Sequence, residues 1–227
     1  MPKQEPIVVA LIGNPNTGKS TLFNALAGMR QRVGNYPGVT VEKRLGRFTI
    51  DGQEFVLIDL PGLRSLSPRS RDEMVAVDVL LGRQPDTPRP NLVICIADAA
   101  NLWRHLYLLN QLLEFGLPTL LVVNMLDVAE KEGIHLDLDR LAQRLPVPLV
   151  GTQANKGIGI DRLKHSLVEL AKQDRSPSTS PLPRVVHDAA DDFSHQLKHA
   201  GLVNEPPPHY ILLRLLIDVD GYLERLY

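Results

Sequence analysis

With one cysteine, Cys95, among 227 residues, the chain can form no internal disulfide, and that usage suits a reducing compartment. Long apolar runs are missing as well. Those at 7–12, 92–97 and 120–123 fall far short of the ~18–20 residues that cross a bilayer. No charged-then-apolar leader opens the chain. Nor does one sign of charge dominate: 25 Lys and Arg stand against 26 Asp and Glu. A net charge of −1 leaves no broad basic field for a nucleic-acid backbone. Aromatic residues are few, at 5%. With 44% apolar and 22% charged residues the composition is still ordinary and globular, which excludes disordered, collagenous and coiled-coil classes. A soluble, cytosol-facing chain of one or two domains is expected.

What is present alternates. The apolar run at 7–12, ended by Gly13, has the pattern of a strand buried on both faces. A helix is expected over 18–27, stopped by Gly28. Residues 30–40 are polar and carry Gly34, Asn35, Pro37 and Gly38, the pattern of a long loop. Strands at 41–50 and 53–58 flank Asp51-Gly52, the strongest short hairpin signal. Helix and strand then alternate through 71–81, 92–97, 102–115, 119–124, 138–144, 148–150 and 160–172. The pattern predicts an α/β fold, a mostly parallel sheet with helices on both faces. Residues 173–184, rich in Pro and Ser, are expected to link a domain at 1–172 to a small all-α appendage at 185–227. In the appendage Val186, Ala190, Phe193, Leu197 and Ala200 keep one helical face apolar, and a second helix is expected over 210–217.

The chemistry lies in loops after strands. Gly13-Asn14-Pro15-Asn16-Thr17-Gly18-Lys19-Ser20 fits G-x-x-x-x-G-K-[ST] between a strand and a helix. Such a loop turns backbone N–H groups toward a diphosphate at a helix N-terminus; Lys19 would reach the β and γ phosphates and Ser20 would ligate Mg²⁺. Asn124-Met125-Leu126-Asp127 follows another strand. A carboxylate there accepts from both the ring N–H and the exocyclic amine of guanine, whereas adenine leaves it unpaired. Asp59-Leu60-Pro61-Gly62 suits a Mg²⁺ role for Asp59, either direct or through a bound water, and γ-phosphate sensing by the Gly62 N–H. Thr40 is the second hydroxyl for that metal. In Thr152-Gln153-Ala154-Asn155-Lys156-Gly157, the Ala154 N–H is placed for the guanine oxygen.

In order, these motifs resemble the boxes of a translation-factor-type GTPase. The Asn14-Pro15-Asn16 start, the 33–42 loop, Asp59-Leu60-Pro61-Gly62-Leu63, the 97–108 run and Met125 resemble the cytosolic G domain of ferrous iron transport protein B (FeoB). The resemblance implies a Ras-like P-loop GTPase with a helical spacer, an amino-terminal piece of a transporter whose membrane permease is not in this chain. It implies GTP/GDP and Mg²⁺ as ligands, K⁺ as a further one, small accessory Feo proteins as partners and the cytoplasmic face of the inner membrane as location. The nucleotide contacts it implies are Gly13, Asn14, Asn16, Thr17, Gly18, Lys19, Ser20, Thr21, Gly38, Val39, Thr40, Asp59, Gly62, Asn124, Met125, Asp127, Gln153, Ala154 and Asn155. Lys19, Thr40, Gly62 and Asn16 would serve catalysis. Ser20, Thr40 and Asp59 would hold Mg²⁺. Asn16 would either hold K⁺ or brace its own loop. Gln153-Ala154 departs from the usual Ser-Ala. Leu63 stands where many GTPases hold a water-orienting glutamine, so hydrolysis should be slow. A ribosome- or tRNA-associated GTPase and an exchange switch with negligible hydrolysis are the alternatives. Cys95, Trp103 and Tyr107 are expected to be packing residues, and Asp191, His195 and His199 a solvated stripe.

Overall fold

Alternation within the apolar runs divides the core between two faces. Along β1 (Ile7–Gly13), Val8, Ala10 and Ile12 join one buried cluster while Val9 and Leu11 join another. β4 (Gln53–Asp59), β5 (Leu92–Asp98) and β6 (Thr119–Asn124) divide in the same way. A strand with both faces covered needs helices on each side. α1 (Lys19–Ala27) and α6 (Ile160–Lys172) supply one layer through Leu22, Phe23, Leu26, Leu163 and Leu167. α2 (Arg71–Leu81), α3 (Leu102–Leu113) and α4 (Leu126–Lys131) supply the other through Val75, Leu80, Leu108, Leu112 and Ala129.

This is a computed structural model, describing residues 5–28, 31–37, 39–66, 70–172, 183–203, 205–207 and 209–216. With β2 (Gln31–Asn35), β3 (Glu42–Ile50) and β7 (Leu149–Gly151), the sheet has seven strands in the order β2-β3-β4-β1-β5-β6-β7. β4-β1-β5-β6-β7 are parallel; β2 and β3 pair antiparallel. The α/β expectation of a mostly parallel sheet with helices on both faces holds. Asp51 and Gly52, both at positive φ (49° and 85°), turn β3 into β4, the conformation a tight hairpin requires.

Three expectations are corrected. The loop at 30–40 contains β2, an exposed edge strand whose Gly34 and Asn35 hid its signal; backbone pairing with Glu42 to Gly46 of β3 forms it despite poor β-propensity. A short α4 opens at Leu126, where a loop was expected. Trp103 and Tyr107 are not packing residues: they are 72% and 55% exposed, on the outer side of α3. Cys95 is fully buried in β5, and burial pushes its thiol up to about 12. α5 (Leu138–Arg144) matches its expected span, capped by Asp137 accepting from the Arg140 N–H.

Beyond residues 173–182, which lie outside the described set, α7 (Arg184–His199) packs on α8 (His209–Leu216). Ala190, Leu212 and Leu213 form their small core, with Val186, Phe193 and Leu197 against it. Ala200 is exposed, just past the helix end. Ile217, in the expected second helix, lies outside the described residues. His195 and His199 are exposed, as a solvated stripe requires, and Asp191 faces His209 at 3.4 Å. Among the described residues no helix is long and apolar enough to cross a membrane.

Candidate nucleotide site

Parallel pairing brings the carboxyl ends of β1, β4, β5, β6 and β7 to one edge of the sheet, where α/β folds place ligands. β3 runs the other way and begins at that edge, which brings Thr40 there too. Every expected motif therefore converges on one edge.

The phosphate loop is held from inside. Thr17 is fully buried and its hydroxyl donates to the Asn14 carbonyl at 2.9 Å. Gly18 sits at φ 81°, and a Cβ there would lie 2.4 Å from Asn124 Nδ2. Only glycine fits such a position. Asn16 also has positive φ, 68°, and its exposed side chain makes no hydrogen bond among the described residues. α1 begins at Lys19, so its first N–H groups face the loop. The Leu63 N–H donates to the Gly13 carbonyl at 3.0 Å, tying the segment around Gly62 to the loop.

Lys19 reaches across to Asp59, and the two form an ion pair at the end of β4. Beside them lies a cavity of about 360 Å³ lined by Lys19, Ser20, Thr40 and Asp59, with Glu42 and Asp72. Two hydroxyls and a carboxylate among its lining groups make an oxygen donor set, which suits a hard divalent cation. Asp59 is buried, while Ser20 and Thr40 are exposed. Thr21 is exposed on α1 and Val39 half-buried. Gly38 lies outside the described residues.

Asn124 joins three loops. Its Nδ2 donates to the Thr17 carbonyl at 3.0 Å, and its Oδ1 accepts from the Thr152 hydroxyl at 2.9 Å and the Ala154 N–H at 3.0 Å. The side chain is 3% exposed, so all three bonds are sheltered from water. The Ala154 N–H, expected to face a guanine oxygen, is thus engaged with Asn124. Met125 takes a left-handed conformation, φ 64°, and starts α4, which carries Asp127 in its first turn. Lys156 pairs with Asp127 at 2.8 Å and donates to Gln153 Oε1 at 3.3 Å. The hydrogen bond from Lys156 to Asp127 does most to hold the Asp127 carboxyl below the usual carboxylate range. Asn155 is exposed beside it.

Two roles escaped the sequence. The Thr152 hydroxyl was visible only as a residue before Gln153, and its partner is 28 residues away. Lys156 carried a weak signal, a cation three residues past Gln153 on a tight 3-10 turn. Leu63 is 1% exposed and packs in the core, so that position brings no polar group to the site.

The family profile for ferrous iron transport protein B matches residues 7–167. The Fe(2+) transporter FeoB of Salmonella typhimurium is 47% identical over 162 residues, 70% of this chain and 20% of that protein. This chain thus spans about a fifth of the length of the curated relatives it matches. The cytosolic domain of L. pneumophila FeoB superposes with TM-score 0.80 at 38% identity, covering 96% of this chain and 91% of that one. The cytosolic domain of T. maritima FeoB gives 0.84 at 36% identity in a GDP form, covering 98% and 85%, and 0.82 at 37% in a GMPPNP form, covering 97% and 85%. The fold is that of a P-loop GTPase, and the chain belongs to the ferrous iron transport protein B family.

Proposed function

We propose that the chain binds GTP and GDP and hydrolyses GTP slowly, as the G domain of a ferrous iron transporter. The observation that carries this is the Asn124 clip. One buried amide holds the phosphate loop, the Asp127 segment and the Ala154 loop together, which is what reading a phosphate and a base at once requires. The related T. maritima domain has been solved in GDP and GMPPNP forms, which supports the same ligand class here. Phosphates would lie along residues 13–20, with Lys19 moving its charge from Asp59 toward them. Asp127 would take the guanine edge.

Ser20, Thr40 and Asp59 are the residues that would hold Mg²⁺, which supplies charge neutralisation at the phosphates when bound. A Cβ on Gly62 would lie 3.3 Å from Pro15 of the phosphate loop, a closeness that supports γ-phosphate sensing by the Gly62 N–H. Leu63 is buried, so backbone groups or solvent must orient the attacking water, and turnover of about 10⁻⁴–10⁻² s⁻¹ is expected. The unengaged Asn16 amide favours the K⁺ role over bracing of its own loop. Residues 1–172 form the G domain on this reading, 173–184 a linker and 185–227 a helical spacer, consistent with the separate small core of α7 and α8. The partners are a ferrous-ion permease and small accessory Feo proteins at the cytoplasmic face of the inner membrane.

Calorimetry tests the base choice. GDP should bind at least a thousandfold tighter than ADP, in line with discrimination at polar sites; comparable affinities overturn the assignment. The buried Leu63 also favours a second reading, an exchange switch that barely hydrolyses. Multiple-turnover phosphate release separates the two.

A further inference from the structure

A second cavity, of about 490 Å³, borders the phosphate loop at residues 14–16 and shares no lining residue with the Lys19–Asp59 cavity. Its walls are Asn14 and Asn16 of the loop, Arg64 of the segment after Gly62, Asp98 at the end of β5, and Arg104 and His105 of α3. Two buried polar atoms on these walls have no hydrogen-bond partner, Asn14 Oδ1 and His105 Nδ1. Buried polar groups are paired in the great majority of cases. His105 is 7% exposed, and its burial, against the opposing pull of Asp98, pushes its pKa down. Two unmatched atoms from distant parts of the chain meeting in one cavity point to a ligand that supplies both.

The rim gives the sign of that ligand. Neither Arg64 nor Arg104 has an acidic partner among the described residues; Arg104 lies over the exposed Trp103 ring at 5.0 Å. The carboxylate of Asp98 is already engaged, accepting from the Ala100 N–H and the Asn101 amide, both at 2.9 Å. Two guanidinium groups against the one carboxylate of Asp98 leave the lining with an excess of positive charge, which favours a carboxylate ligand. Asn14 Oδ1 can only accept, so the same ligand must bring an O–H or N–H donor. We propose that this cavity is a second ligand site, taking a small carboxylate that also bears a hydroxyl or amino donor. Its volume is more than enough to admit such a metabolite. The site borders the phosphate loop through Asn14 and Asn16, and the test below reads carboxylate binding without added nucleotide.

NMR titration of the full, ¹⁵N,¹³C-labelled chain with L-malate, succinate and glycerol tests this. L-Malate should shift the His105 ring and Asn14 side-chain amide signals saturably. Succinate, which lacks the hydroxyl and strands Asn14 Oδ1, should bind about tenfold more weakly. Glycerol, which lacks the charge, should leave the signals unmoved. Arg104→Ala, an exposed substitution, should weaken L-malate about tenfold while GDP affinity stays as it was. Non-saturating shifts, equal affinity for L-malate and succinate, or indifference to Arg104→Ala would each overturn the proposal and leave ordered water as the partner of both atoms.

Discussion

Replacing Asn124 by alanine probes the junction of the three loops directly. The substitution removes three hydrogen bonds and strands the Thr17 carbonyl and the Ala154 N–H, both on residues at most 6% exposed. The Thr152 hydroxyl can rotate to a new acceptor, so it contributes less. At about 1–3 kcal/mol for each stranded buried group, the loss should be about 4 kcal/mol. For a chain of this size that lowers Tm by roughly 8–16 °C, at about 2–4 °C per kcal/mol. GDP affinity should fall more than tenfold, because the phosphate and base loops lose their fixed relation. Asn124→Asp refines the test. Its carboxylate keeps both acceptor bonds but faces the Thr17 carbonyl with repulsion, which raises the folded-state pKa. The defect should be full at neutral pH and relieved on acidification, when the protonated acid can donate to Thr17. Chemical denaturation of the three proteins measures this. A loss under about 1 kcal/mol for Asn124→Ala, the size of a surface substitution, refutes the reasoning.

Asp127→Asn exchanges acceptor for donor and should turn preference from guanine toward xanthine nucleotides, read by competition binding; unchanged GDP selectivity places base recognition elsewhere. Lys156→Ala removes the hydrogen bond that holds the Asp127 carboxyl down. A depressed carboxyl loses its contribution as pH falls through its own pKa, so in the variant GDP affinity should begin to fall at a higher pH than in the parent. KCl should accelerate GTP hydrolysis over NaCl at equal ionic strength, and Asn16→Ala should erase the difference while sparing GDP binding; identical rates in both salts leave Asn16 a bracing residue. Cys95, with its thiol pushed up to about 12 by burial, should react with a disulfide reagent only as the chain unfolds, which labelling against denaturant measures.

The sheet was legible because doubly covered strands write continuous apolar runs, and its loops because glycine and proline punctuate them. The hairpin at Asp51-Gly52 and the spans of α2, α5 and α6 follow from such local signals. β2 was not legible: Gln31 to Asn35 is polar, and what makes it a strand is an edge of β3 far closer in space than in pattern. Trp103 and Tyr107 carried the opposite error. Their helical spacing suggested a buried face, yet the core side of α3 is defined by His105, Leu108, Leu109 and Leu112. At the site, each motif residue was visible by type and order. The bonds between motifs were not, since Thr17 and Asn124 are 107 residues apart and only the sheet brings them together.

β7 is a three-residue edge strand, paired with β6 at Leu149, Val150 and Gly151 alone. So short an edge has little to keep it from fraying. The residue that follows it, Thr152, is pinned twice, by its N–H to the Val123 carbonyl at 2.8 Å and by its hydroxyl to Asn124. The weakest margin of the sheet is thereby made to open together with the phosphate loop. Amide exchange at Val150 and Thr152 should then report on Thr17 and Gly18 as one cooperative unit, although a whole sheet's width of chain connectivity separates them.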